Sequence, residues 1–305
     1  MINQEEVVMT ERNSITTHSI KAVEEILTAR PSADGDGVKL LRVFGGGGDP
    51  ARFDPFLMMD EFGSPEASDY IGGFPPHPHR GFETITYMLE GRMEHQDHMG
   101  NVGNLQNGDV QWMVAGSGVI HSEMPKQTEG RMRGFQVWLN LPARTKMQAP
   151  SYQDIGAASI PQISMQGLTG KAIAGKVDIN GEGVEGVVTR PDTHPIYLDL
   201  HFSDDSQTHL LAIPEGHTTL LYVYEGSVQL GEAATTVKRG HMARLARDGD
   251  TVQIRAQSDD TRILLLAGAV LGEPVVQYGP FVMNTREEID QALRDYRDGS
   301  FAQHG

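Results

Sequence analysis

The chain has no cysteine. Disulfides and thiolate ligands are thereby excluded, and any metal ion must be met by imidazole and carboxylate. Positive charge is also scarce, with 25 Lys and Arg against 41 Asp and Glu and a formal net charge of -16. Such a surface repels phosphate backbones and anionic lipid, which argues against direct nucleic-acid or membrane binding, yet permits a basic protein partner. Long apolar runs are missing too: the longest, Ile263–Val270, is too short to span a bilayer. The start, Met1–Asn13, is acidic and polar, without a basic stretch leading into an apolar one. No secretory signal is expected there, and a cytoplasmic protein is the reading. Aromatic residues make up only 7%, but 305 residues at 38% hydrophobic content suffice for two ordinary domains.

What is present in abundance is the strand. Runs rich in Val, Ile, Leu and Tyr recur at Thr84–Leu89, Asp109–Val114, Gly134–Leu139, Ile196–Phe202, Leu220–Leu230, Thr251–Arg255 and Arg262–Gly268. Turn residues punctuate them, as in Glu90-Gly91 and Asn107-Gly108. The pattern predicts all-β antiparallel domains. Tyr87-Met-Leu-Glu-Gly91 is echoed by Tyr222-Val-Tyr-Glu-Gly226, which points to two copies of one domain. The expected organisation is an N-terminal tail over 1–20, a first domain over 21–142, a connecting region with short strands over 143–186 and a second domain over 187–305. One helix is predicted near the end. Thr285 and Glu288 form a capping box, Ile289, Ala292, Leu293 and Tyr296 share a face, and Gly299 stops it.

The densest chemistry lies in Gly72-Gly-Phe-Pro-Pro-His77-Pro-His79 and in Gly116-Ser-Gly-Val-Ile-His121-Ser-Glu123. In a strand, residues two apart share a face, so His77 projects with His79, and His121 with Glu123. If the two strands face each other inside a barrel, three imidazoles and a carboxylate converge. That donor set suits iron(II), manganese, nickel, cobalt, copper(II) or zinc. Glu83, four residues after His79, is a second candidate carboxylate, and spacing alone does not choose between it and Glu123. His95 and His98, three apart, are expected to diverge, and His217 and His241 to be ordinary surface or core histidines.

Several long segments are similar to the signatures of the pirin family. They are Asp54-Pro-Phe-Leu-Met-Met-Asp-Glu-Phe-Gly63, His77-Pro-His-Arg-Gly-Phe-Glu-Thr84, Gly108-Asp-Val-Gln-Trp-Met113, Gly116-x-Gly-x-x-His121-x-Glu-Met-Pro125 and the tail Gly272–Thr285. The resemblance implies a bicupin, two cupin-type antiparallel barrels with a short C-terminal helix, in which only the first barrel carries metal, usually iron. It implies His77, His79, His121 and Glu123 as ligands, leaving Glu83 outside the coordination sphere. It further implies quercetin 2,3-dioxygenase activity, in which a flavonol is opened by dioxygen with release of carbon monoxide. Glu123 or Glu83 would then take the flavonol proton, with Phe74, Trp112 and Met113 as pocket walls. The family also implies an alternative of another class, an iron-dependent redox sensor and transcriptional co-regulator acting through protein partners. A third expectation is a cupin acting on some other small enol or phenol.

Overall fold

Along the strand Thr218–Glu225, Leu220, Tyr222 and Tyr224 enter one apolar cluster while Leu221 and Val223 enter another. Alternation with both faces apolar marks a strand covered on both sides. The computed structural model, which describes residues 19–301, shows what covers them. Four antiparallel sheets make two sandwiches. In the first, a seven-stranded sheet runs in the order Ser151–Ile155, Val110–Val114, Phe82–Glu90, Met132–Asn140, Phe56–Ser64, Val38–Phe44, Arg30–Asp34. It faces a four-stranded sheet ordered Phe74–His79, Val119–Pro125, Met93–Asp97, Val102–Leu105. The second sandwich pairs a seven-stranded sheet (Val23–Thr28, His241–Leu245, Thr218–Glu225, Thr261–Gly268, Ile196–Phe202, Leu168–Ala174, Gln162–Met165) with a six-stranded one. This is the expected all-β, two-barrel architecture. No helix among the described residues is long and apolar enough to cross a membrane.

The two seven-stranded sheets pack against each other through a shared core. Phe56, Ile85, Tyr87, Trp112 and Phe135 come from the first, and Tyr197, Leu220, Tyr222, Tyr224 and Leu264 from the second. The two Tyr-x-x-Glu-Gly motifs occupy equivalent places. Gly91 and Gly226, at φ 101° and 69°, let each strand leave the seven-stranded sheet and continue in the opposite one. The run read as one strand, Leu220–Leu230, is for that reason two, broken at Gly226. The motif tyrosines reach across reciprocally. Tyr87 Oη donates to Asp199 of the second sandwich at 2.6 Å, and Tyr222 Oη donates to Glu61 of the first, also at 2.6 Å. Glu61 in turn accepts from Arg133 Nε at 2.7 Å, and Arg133 also pairs with Glu225 at 2.5 Å.

Both chain ends cross over. Val23–Thr28 pairs with His241–Leu245 in the second sandwich, whereas the hairpin Val276–Tyr278/Phe281–Met283 and the helix Arg286–Arg297 return to the first. The helix carries the expected capping box, with Thr285 accepting from Glu288 N and the Glu288 side chain accepting from Thr285 N. The region expected to be a connector, 143–186, is built into both sandwiches. Ser151–Ile155 completes the first sheet beside Val110–Val114, and Leu168–Ala174 joins the second beside Ile196–Phe202. The tail expected over 1–20 lies almost wholly outside the described residues.

The Glu61–Arg133 pair lies buried in the first sandwich and bonds Tyr222 and Glu225 of the second, so removing one partner strands a charge. Glu61→Ala is expected to lose about 3 kcal/mol of stability, measured by denaturant unfolding, with Glu61→Gln losing less.

Candidate metal centre

Phe74–His79 is an edge strand, hydrogen-bonded within its sheet only to Val119–Pro125. That position tolerates Pro75, Pro76 and Pro78, which cannot donate to a second neighbour and which stiffen the backbone. The register sets His77 directly opposite His121 and His79 opposite Val119. Ring nitrogens of His77, His79 and His121 all lie within 4.8 Å of one another.

Hydrogen bonding determines how the rings present themselves. His77 Nδ1 lies 2.8 Å from the Pro75 carbonyl, an acceptor, so it carries the hydrogen and Nε2 keeps a free lone pair. His121 Nε2 stands 2.9 Å from that atom. Two nitrogens cis to each other on an octahedral ion with bonds of about 2.1 Å would stand about 3.0 Å apart. Both nitrogens of His79 are buried without a hydrogen bond of normal geometry. Burial, and then the neighbouring His77, hold the His79 pKa well below its ordinary value, with the Pro280 carbonyl offsetting part of the effect. Burial and then His79, His77 and His95 do the same to His121. Three imidazoles whose nitrogens meet at one point, two of them held from protonation by burial, offer what a divalent cation binds, so these residues fit a metal ion.

Glu123 lies two residues beyond His121 and is 2% exposed. Thr86 Oγ1 donates to its Oε1 at 3.0 Å and Gln136 Nε2 to its Oε2 at 3.1 Å. Its oxygens stand outside the 4.8 Å radius that holds the three histidines. Glu83, which lies four residues after His79 and in a strand would share its face, points the other way. Its carboxylate accepts from Trp112 Nε1 and, at 3.2 Å, from Arg190 Nε of the second sandwich. Burial raises its pKa against the opposing influence of Arg190 and Trp112. The structure therefore corrects the expectation that Glu83 shares a face with His79 and serves as a base there.

A cavity of about 1090 Å³ opens beside the histidines, walled in part by Met58, Phe74, His77, His79, Gln136 and Trp138. Phe74 lines it. Trp112 does not: it belongs to the core between the sandwiches, beneath the Arg190 guanidinium at 5.0 Å. Met113 packs with Ala115, Val119 and Tyr152 and is absent from the cavity wall. The tryptophan that lines the cavity is Trp138, its ring 5.4 Å from that of His79. Trp138 Nε1 donates to Gln136 Oε1 at 3.1 Å, which orients the amide that holds Glu123. The signal was in the sequence, since Trp138 and Gln136 are two apart in one strand.

Comparison with known proteins fits this geometry. A family model described as Pirin matches residues 37–139, and one described as the Pirin C-terminal cupin domain matches 197–302. The chain belongs to the pirin family. It is 52% identical to the "Putative quercetin 2,3-dioxygenase" of Pseudomonas aeruginosa, over 92% of this chain and 98% of that protein. It is 40% identical to the pirin of Homo sapiens, over 92% of this chain and 93% of that one. A crystal structure of quercetin 2,3-dioxygenase from Acinetobacter baumannii superimposes with a TM-score of 0.83 at 34% identity, covering 93% of this chain and 99% of its own.

In this pirin the C-terminal segment locks the ligand strands together. Buried Arg80, next to His79, donates from Nε to the Ser117 carbonyl at 2.6 Å, pairs with Asp295 of the helix at 2.7 Å and lies 4.4 Å from the Phe301 ring centroid. Buried Lys146 Nζ donates to the carbonyls of Gly81 and Val282 at 2.7 and 3.0 Å and to Asn140 Oδ1 at 2.6 Å. Gly81 sits at φ +88°, and a Cβ there would stand 2.0 Å from the Val282 oxygen. The second sandwich is built differently inside, where Leu221, Val223, Val228, Val252, Ile254 and Leu265 fill the interior. His241 Nδ1 lies 3.0 Å from the Arg239 carbonyl, and His217 is half-buried.

Two outcomes follow from these contacts. Glu123→Gln should weaken metal retention at least tenfold, read by elemental analysis after dialysis, while Glu83→Gln leaves it within twofold and lowers the melting temperature instead. Arg80→Leu should cost about 3 kcal/mol in denaturant unfolding and release metal faster, with Arg80→Lys intermediate.

Proposed function

We propose that this pirin is a metal-dependent dioxygenase opening the ring of flavonols such as quercetin, with His77, His79, His121 and Glu123 holding iron(II). The observation that carries the proposal is the convergence of three imidazoles, two of which, His77 and His79, line an open, partly aromatic cavity. The names carried by the Pseudomonas and Acinetobacter relatives point to the same substrate class. Manganese, nickel, cobalt, copper or zinc would also be accepted by this donor set, supply in the cell deciding among them. The ion, when bound, supplies Lewis acidity and the redox chemistry toward dioxygen that side chains lack.

The chain's own residues do the rest. Phe74 and Trp138 offer flat apolar faces to a planar polyphenol, and Met58 adds an adaptable apolar contact. His77 and His79, rigid on a proline-stiffened strand, set where the flavonol hydroxyl comes to rest. Glu123, once displaced from the ion, would take that hydroxyl's proton; its Oε2 accepts a hydrogen bond from Gln136. Gln136 is held in turn by Trp138, so substrate stacking and proton acceptance share one chain of hydrogen bonds.

The test is direct. After anaerobic loading with iron, addition of quercetin and air should bleach the flavonol absorbance and release carbon monoxide, and His121→Ala should abolish both. Absence of turnover with iron, manganese, nickel, cobalt and copper alike would remove the dioxygenase proposal.

A further inference from the structure

His95 is a buried histidine in the first sandwich that the four-ligand set does not use. It lies on Met93–Asp97, opposite Glu123 across the sheet, and is 1% exposed. Of the two histidines expected to diverge, His98 does turn outward, where its Nδ1 accepts from Ile120 N at 3.2 Å. His95 turns inward instead. Its Nδ1 stands 3.1 Å from His121 Nδ1, its ring centroid lies 4.8 Å from that of Tyr152, and its Nε2 is buried without a hydrogen-bond partner.

Two imidazole nitrogens at 3.1 Å are compatible only if one of them bears a hydrogen. The other end of His121 decides which. His121 Nε2 faces His77 Nε2, whose lone pair is already free because His77 Nδ1 donates to Pro75. A cation at that point requires a second free lone pair on His121 Nε2, which leaves the His121 hydrogen on Nδ1. The partner standing opposite that hydrogen is His95 Nδ1. His95 is not itself among the residues whose nitrogens converge within 4.8 Å.

We propose that His95 is a positioning residue for the metal centre: its Nδ1 accepts the hydrogen bond from His121 Nδ1–H and thereby fixes both the ring orientation and the tautomer in which His121 Nε2 meets the ion. The inference rests on the ligand set proposed above. Metal-bound histidines usually direct their second nitrogen to a carboxylate or a backbone carbonyl. Here the acceptor is a neutral ring wedged between His121 and Tyr152, so orientation is supplied without added negative charge. The nearby acids, Glu123, Asp97 and Asp154, act on His95 only through space and partly offset the lowering of its pKa by burial.

The experiment is a cobalt(II) titration of the full chain and its variants, followed by calorimetry and visible absorption, alongside melting of the metal-free proteins. His95→Phe keeps a ring of similar shape but has no acceptor. It should bind cobalt about 10–100-fold more weakly, with a metal-free melting temperature close to wild type. His95→Gln, whose amide oxygen can accept from His121, should recover most of the affinity and the wild-type cobalt spectrum. X-ray absorption should count the same number of imidazoles around cobalt in wild type and His95→Phe. Binding by His95→Phe within twofold of wild type would overturn the inference, as would the loss of one imidazole from the count, which would make His95 a ligand. Equal weakening in both variants together with a lowered metal-free melting temperature would also overturn it. A wild-type chain that takes up no cobalt would sink the ligand set and this inference together, whereas normal wild-type uptake with an unaffected His95→Phe would sink only the latter.

Discussion

Everything at the candidate centre depends on the register between two strands, Phe74–His79 and Val119–Pro125. Side chains alternate with period two, so a slip of one residue would send His77 and His79 to the far face while His121 stayed inside. An edge strand with three prolines has few ladder bonds of its own to prevent such a slip. The restraint comes from Arg80 and Lys146, two buried cations that tie the residues after His79 to Ser117, Asn140 and the C-terminal segment. Buried cations are costly to desolvate, and here their hydrogen bonds run to backbone carbonyls and side-chain oxygens that specify position.

The contrast between the sandwiches shows what a metal-ready interior requires. Both copies share the Tyr-x-x-Glu-Gly turn and the sheet crossing that it allows. In the first copy the inward residue before the tyrosine is Thr86, which bonds Glu123. In the second it is Leu221, packed among aliphatic side chains. A hydroxyl in that place accommodates a buried carboxylate, and a leucine closes the space with apolar contact.

Much of this was legible in the sequence because it rests on short-range periodicity. His-x-His and His-x-Glu each stay within one strand, where parity is reliable, and the capping box of the last helix is a local hydrogen-bond pattern. Reasoning from spacing failed where the chain turned. Glu83 was counted on from His79, but Arg80 and Gly81 lie between the two strands and carry the chain from one sheet to the other. Trp112 was taken for a pocket wall because large aromatics near a site suggest one, yet its face of the sheet meets the other sandwich. Nothing local distinguishes a face that covers a cavity from a face that covers a second domain. The short strands expected within 143–186 turn out to be members of both main sheets, which their apolar pattern, diluted by Pro, Ser and Gly, could not show because tertiary pairing stabilises them.

The crossing of the two chain ends has a consequence for biogenesis. The first sandwich contains the candidate ligands, but the groups that brace them, Val282, Asp295 and Phe301, belong to the last tenth or so of the chain. A ribosome delivers those residues only after the second sandwich has been made, and holds them in its exit tunnel for some time longer. During synthesis the strands that carry His77, His79 and His121 therefore emerge ahead of the residues that brace them.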